Sequence, residues 1–419
     1  MTRLRAVILA DFADQTGGAQ SVALQSARGL AEAGVDVTYV HSIAGTADPL
    51  LDHPGIDRVS LGLADVWERP ALAAARDGIW NRSAARSLTG ILGRLPAGPV
   101  VLHLHQWTRG FSPSILPVLA RTGWPVAVTL HDYFLACPNG LYYRFDRDAP
   151  CSVTPFSPAC LLAPCDPKSP RHKLIRVLRS AATALALKGR PLDLIHVSDR
   201  GRDTIAPFLP DRMRHHRIDN PVQSTPGPAA AIGPDTRITY LGRLTREKGA
   251  DLVAQAAARA GVSALLIGDG PLADEIRASH PGAEVLGWRS ADEVAALLRD
   301  RVRALVAPSR WFETGPLTVY EGQAAGLPVV VSNRAGASEK IADGETGFVV
   351  APEVEALAQA FLWLQDLDVA RRLGQEAYRR YWLAPPTRAA HARRLVTLYE
   401  NMLQGDPARA PQRVILAPQ

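Results

Sequence analysis

The chain has no apolar run of about eighteen residues, so the sequence predicts no membrane-spanning helix. It carries no zinc-finger, homeodomain or RNP-type motif, which sets nucleic acid aside as a partner. No segment repeats at solenoid length, which excludes a repeat array. No DxD-type pair stands where a catalytic metal would be held, so no catalytic metal is expected. The apolar run after Arg3 and Arg5 is only about five residues long and stops at Asp11. It reads as a first β-strand rather than a signal peptide, and the expected compartment is the cytoplasm.

What is present is a globular composition. Of 419 residues, 47% are hydrophobic and 21% charged, enough for two or three domains with their own cores. The formal net charge of +6 suits anionic partners such as nucleotide phosphates or an acidic membrane face. Short apolar runs alternate with Ala-rich helical patterns. Leu4–Ala10, Val35–Val40, Val100–Leu104, Val126–Leu130 and Leu192–Val197 read as buried parallel strands, followed by Ile238–Leu241, Ala264–Ile267, Ala304–Val306 and Pro328–Val331. The alternation predicts an α/β chain of two doubly wound, Rossmann-like domains with a cleft between them. A Pro-, Gly- and Ser-rich stretch, Asn220–Pro234, marks the break. The expected domains are 1–219 and 220–385. A helix over 386–404 is expected to pack back on the first, and Gly405–Gln419 reads as a frayed end.

Three motifs carry chemistry. Gly17 and Gly18 follow the first strand and open a helix, where bare backbone and the helix dipole favour a phosphate; a plain tight turn is the competing explanation. Gly242–Gly249, GRLTREKG, follows the first strand of the second half, and its Arg243 and Lys248 suit a diphosphate. Glu313 and Glu321 bracket Gly315, Pro316 and Leu317 at a helix start, whose unpaired N–H groups point at an anion. Two acids near a helix N-terminus are also what the macrodipole alone would select.

Together these motifs resemble the retaining GT-B glycosyltransferases, the large family of phosphatidylinositol mannosyltransferases, sucrose synthases and bacterial polysaccharide transferases. The segment Pro308–Val331, PSRWFETGPLTVYEGQAAGLPVVV, resembles the family's donor-site signature, and GGAQ, GRLTREKG, Gly268-Asp269-Gly270-Pro271 and Thr129-Leu130-His131-Asp132 match in order and spacing. The resemblance implies a UDP- or GDP-sugar donor and a hydroxyl acceptor. It implies that Arg243 and Lys248 bind the diphosphate, with Gly17, Gly18 and Gly268 also in the donor site. Glu313 would contact the sugar, Gly315, Pro316 and Leu317 would present backbone, Glu321 would hold the ribose, and Trp288 would lie near the nucleobase. His131 resembles the histidine beside the reacting centre. Thr314-Gly315-Pro316 departs from the family's Gly-Phe-Gly and bears on which sugar is accepted. Alternatives within and outside the fold are a nucleotide-sugar epimerase, a phosphorylase (no pyridoxal-phosphate lysine is recognisable) and a non-catalytic nucleotide- or metal-binding protein.

Three further features stand outside the motifs. Cys137, Cys151, Cys160 and Cys165 are the only cysteines and lie within one Pro-rich stretch. Four thiolates can hold a structural Zn²⁺ or an iron–sulfur cluster, though without a CxxC pair; free thiols and disulfides are the other readings. Over 171–188, Leu174, Leu178, Ala181 and Leu185 share one helical face, with Arg171, Lys173, Arg176 and Arg179 around its start. Such a helix either lies on an anionic membrane or turns its apolar face to the core and its basic side to solvent. His103 and His105 point the same way at a strand end, lining the cleft or hydrogen-bonded in a structural role.

Overall fold

A computed structural model describes residues 3–15 and 17–405, so the expectation for the last residues falls almost wholly outside the described residues. The first half runs β1 (Arg5–Ala10), β2 (Asp36–Ile43), β3 (Ile56–Leu63), β4 (Val100–Leu104), β5 (Val126–Leu130), a hairpin of β6 (Tyr143–Arg144) and β7 (Ala149–Pro150), then β8 (Asp193–His196) and β9 (Arg214–Arg217). The second half runs β10 (Arg237–Leu241), β11 (Ala264–Ile267), β12 (Ala283–Gly287), β13 (Val302–Ala307), β14 (Val329–Ser332) and β15 (Gly347–Val350). Two sheets result, ordered β3-β2-β1-β4-β5-β8-β9 and β12-β11-β10-β13-β14-β15. Every pairing within them is parallel.

The nine strands read from sequence are all present; the β6–β7 hairpin was missed, and so were four strands of the two large sheets, β3, β9, β12 and β15. These are the four sheet edges. An interior strand of a covered parallel sheet is buried on both faces, so it reads as a continuous apolar run; β4 and β8 are buried at every position. An edge strand keeps one side open, and β9 is the sequence Arg-His-His-Arg, with its first two residues exposed.

In each sheet the strand order reverses beside the first strand, between β1 and β4 and between β10 and β13. Loops at the carboxyl ends diverge there and leave a crevice. The chain crosses back to the first half near Pro386, whose carbonyl accepts from the Val222 N–H at 2.8 Å. The Arg388–Gln404 helix then lies against the Gly18–Glu32 helix, burying Leu395, Leu398, Tyr399 and Met402 in the core beneath the first sheet. His391 joins the two helices through Ser26 Oγ at 2.8 Å.

The Pro170–Ala186 helix corrects the core-facing alternative. Its leucines are turned outward and three of its cations inward: Lys173 is buried and Arg176 and Arg179 are half-buried, while Leu174, Leu178, Leu185 and Arg171 are exposed. The metal expectation for Cys137, Cys151, Cys160 and Cys165 finds no support in the geometry. Among the described residues no group of three or more His, Cys, Asp or Glu side chains is placed to hold a metal ion. All four are free thiols, so the disulfide reading is not met either. Two of them have other polar partners. Cys137 Sγ donates to Asn139 Oδ1 at 3.1 Å, and Cys165 Sγ accepts from Lys173 Nζ at 3.0 Å. Burial also pushes the Cys137 thiol pKa up, which keeps it protonated.

Candidate functional site

The second-half wall is built from loops after β10, β11 and β13. Lys248 and Glu313 are far apart in sequence yet joined: Lys248 Nζ donates to Glu313 Oε1, and Ser309 Oγ donates to Oε2 of the same carboxylate. Both Glu313 oxygens are therefore engaged, and the residue is buried. Lys248 also lies 5.6 Å from the centroid of the buried Trp311 ring. Arg243, on the same loop, is exposed and has no side-chain hydrogen bond or ion pair among the described residues.

Two glycines explain how the loops stack so closely. Gly249 closes the Arg243–Lys248 loop at φ 76°, and a Cβ there would meet the Pro308 carbonyl oxygen at 2.5 Å. Gly268 has φ 134°, and a Cβ there would collide with the Gly242 carbonyl oxygen. Gly268 thus shapes the Gly242–Gly249 loop by letting the end of β11 approach it. Gly268→Ala is expected to cost about 2–3 kcal/mol of stability, measured by urea unfolding, through backbone displacement.

Arg310 has a different role from its neighbours. It forks onto Asp251 at 2.6 and 2.8 Å and donates to the Arg246 carbonyl at 2.7 Å, so it pins the β13 loop to the Ala250–Ala260 helix. Gly315 and Pro316 lead into the Leu317–Ala324 helix, whose N-cap Pro316 offers no side-chain acceptor. Its first N–H groups are left for another partner. Glu321 stands one turn in, half-buried, its carboxylate without a hydrogen-bond partner among the described residues, and burial pushes its carboxyl pKa up. Trp288 is 73% exposed on the loop after β12, outside this cluster of contacts.

The first-half wall faces this one. Gly17 is the N-cap of the Gly18–Glu32 helix, again without a side-chain cap. A Cβ on Gly18 would lie 3.8 Å from Leu317 Cδ1, so the two uncapped helix starts meet across the cleft. His131 follows β5. Its Nε2 shares a hydrogen bond with His105 Nδ1 at 3.1 Å, and its carbonyl accepts from Thr314 Oγ1 at 3.1 Å. Burial holds His131 down to about 3, so the ring is neutral near pH 7. Next to it, burial pushes Asp132 up to about 6, against the Phe134 N–H and the Arg179 charge.

His103 and His105, read as a pair, divide. His103 bonds Tyr399 Oη at 2.6 Å and Thr129 Oγ1 at 2.7 Å and is a core residue; His105 reaches His131. Sequence reasoning missed Ser198 and Glu339. Ser198 Oγ donates to the Thr314 carbonyl at 2.6 Å and accepts the Gly201 N–H at 3.0 Å, while Glu339 accepts the Asp199 N–H at 3.1 Å. These bonds close the two halves on each other behind Gly315. Ser198 at a helix start was a visible N-cap signal; its bond to Thr314 was not.

The family pattern "Glycosyl transferases group 1" matches residues 235–366, and "Glycosyltransferase Family 4" matches residues 16–156. A GDP-mannose-dependent alpha-mannosyltransferase of Corynebacterium glutamicum is 29% identical over 131 residues, which are 31% of this chain and 31% of that protein. A glycogen synthase of Mycobacterium tuberculosis is 33% identical over 179 residues, 39% of this chain and 43% of that protein. The chain thus aligns with less than half the length of either relative. Among solved structures, the sucrose-phosphate synthase of Thermosynechococcus elongatus superposes with a TM-score of 0.70 at 17% identity, covering 96% of this chain and 100% of that one. HepE of Anabaena in complex with UDP gives 0.62 at 14% identity, covering 96% and 100%. Each half thus carries a segment that matches a glycosyltransferase family model, and the two-sheet architecture is that of the GT-B fold.

Proposed function

We propose that the chain transfers a sugar from a nucleoside diphosphate sugar, UDP- or GDP-linked, to a hydroxyl acceptor, with retention of the anomeric configuration. The observation that carries this reading is the pairing of Lys248 with Glu313 just before an uncapped helix that faces Gly18. When the anomeric bond breaks, negative charge builds on the departing diphosphate. Arg243, Lys248 and the N–H groups at the two helix starts stabilise it where it forms, in a cleft that excludes water. Glu313, oriented by Lys248 and Ser309, accepts from sugar hydroxyls. Glu321 accepts from the ribose, and Trp288 lies toward the nucleobase. His131, neutral, hydrogen-bonds the sugar rather than presenting a charge. Retention is carried by the motif resemblance and is read from the anomeric configuration of the product by NMR.

Thermal shift with UDP, GDP and their sugars tests the reading. A donor at about a hundred times its Kd adds about 2.7 kcal/mol, a rise of roughly 5–10 °C for a domain of this size. Arg243→Ala is expected to abolish the shift while leaving the ligand-free Tm unchanged, because its side chain has no partner to lose. No shift with any nucleoside diphosphate would sink the reading.

A further inference from the structure

The Pro170–Ala186 helix is inverted relative to an ordinary surface helix. Three of its four cations are used inside. Lys173 Nζ bonds Cys165 Sγ at 3.0 Å, Arg176 pairs with Asp166 at 2.9 Å, and Arg179 lies 4.4 Å from the Phe134 ring centroid. The outward stripe, at three- and four-residue spacing, reads Arg171, Leu174, Leu178, Ala181, Leu185 and, just past the helix end, Lys188. Leu174, Leu178 and Leu185 are 59%, 46% and 74% exposed, and Leu162 on the preceding Pro158–Leu162 helix is 84% exposed. The leucines therefore form an apolar strip with a cation at each end. Single exposed leucines need no explanation, but a contiguous strip marks a surface that something covers.

We propose that this face docks on an anionic lipid bilayer. Charge decides between the occupants. The charges this segment leaves exposed are all cationic, Lys168, Arg171 and Lys188, while its one acid, Asp166, is taken up by Arg176. A second copy seated on the strip would bring two such segments together, and like charges across an interface cost affinity. A bilayer with anionic headgroups takes the leucines into its acyl boundary and the flanking Arg171 and Lys188 at its phosphates. Trp67, half-exposed beside the helix with Lys168 Nζ 3.4 Å from its ring centroid, supplies the aromatic and cationic groups suited to the headgroup layer. Beyond the helix end, an apolar recess lined by Leu116, Leu119, Trp124, Leu187 and Leu192 holds Arg190, whose Nη1 is buried without a hydrogen-bond partner. No helix among the described residues is long and apolar enough to cross a membrane, so the contact is peripheral.

Sedimentation of the full chain with sucrose-loaded vesicles tests the proposal. Vesicles of phosphatidylcholine with phosphatidylglycerol are expected to carry down at least tenfold more protein than phosphatidylcholine alone. The excess should vanish at about 1 M salt, where the Debye length is about 3 Å. Leu174→Glu with Leu178→Glu, at positions already in solvent, is expected to lower partition at least tenfold. Arg171→Ala with Lys188→Ala is expected to remove the preference for anionic vesicles. The proposal is overturned by equal binding of the leucine variant and the parent, or by no binding to anionic vesicles at low salt. It is equally overturned by a concentration-dependent dimer that the leucine variant abolishes. The nucleotide thermal shift of each variant keeps this test separate from the transferase reading, since docking does not require the donor site.

Discussion

Lys248→Ala is expected to lower kcat/KM by about a hundred- to a thousandfold and to destabilise the fold at the same time. The kinetic loss follows from removing a fixed cation where charge develops on the leaving diphosphate, an effect of this size for a preorganised donor. The stability loss has a separate cause. Glu313 is buried, and its Oε1 has Lys248 as its partner. Removing one member of a buried pair leaves the other uncompensated, at a cost of about 2–4 kcal/mol for a pair whose lysine is partly open to solvent. Arg243→Ala separates the two effects: a comparable kinetic loss with unchanged unfolding. Lys248→Met combined with Glu313→Gln should recover most of the stability and none of the rate. Steady-state kinetics and urea unfolding of the three variants decide the matter. A Lys248→Ala enzyme of normal kcat/KM would remove this lysine from the donor site.

Acidification from about pH 7.5 to about pH 5 is expected to remove on the order of 5 kcal/mol of stability. Burial holds His103 and His131 down to about 3 and His391 to about 4, with His105 also depressed, from an ordinary 6.5. Their folded values lie below the unfolded ones. The stability they contribute is complete above about 6.5 and is lost as pH falls toward the folded values, because only the unfolded chain takes up the protons. Each histidine supplies a slope of about 1.4 kcal/mol per pH unit. Asp132 works the other way. Its carboxyl is raised from 3.8 to about 6, so the folded state binds its proton first, and stability rises as pH falls through that window. One carboxyl offsets one histidine; His196, also held down to about 3 by burial, adds to the slope and the raised Glu321 carboxyl subtracts from it, so the net remains that of about three protons. Urea midpoints across this range measure it, and His103→Asn should flatten the slope by about one proton. A midpoint that does not move between pH 7 and pH 5 would contradict the buried, neutral cluster.

The histidines also show where sequence reading ends. His103 and His105 sit two positions apart on one strand, so alternation puts them on the same face. What separates them is the Arg388–Gln404 helix, which brings Tyr399 to His103 across nearly three hundred residues and leaves His105 for His131. Arg310 was read with its neighbours as donor-site material and proves to be the clamp on Asp251. Gly268 stands in the donor motif, and its reason is the approach of the Gly242 backbone.

By itself the sequence determined the class of fold and picked out the loops from which the proposed donor wall is built. Interior parallel strands are buried on both faces and so leave uninterrupted apolar runs. Backbone-presenting glycines and paired charges at strand ends are local in sequence, so their spacing survives without a structure. The tertiary structure alone decided the four edge strands, the bonds that close the two halves through Ser198, Thr314 and Glu339, and the direction of the Pro170–Ala186 helix. Helical periodicity places leucines and arginines on opposite faces but carries no sign for which is inside. Here Cys165, Asp166 and Phe134 claim the cations, and the leucines are left on the surface.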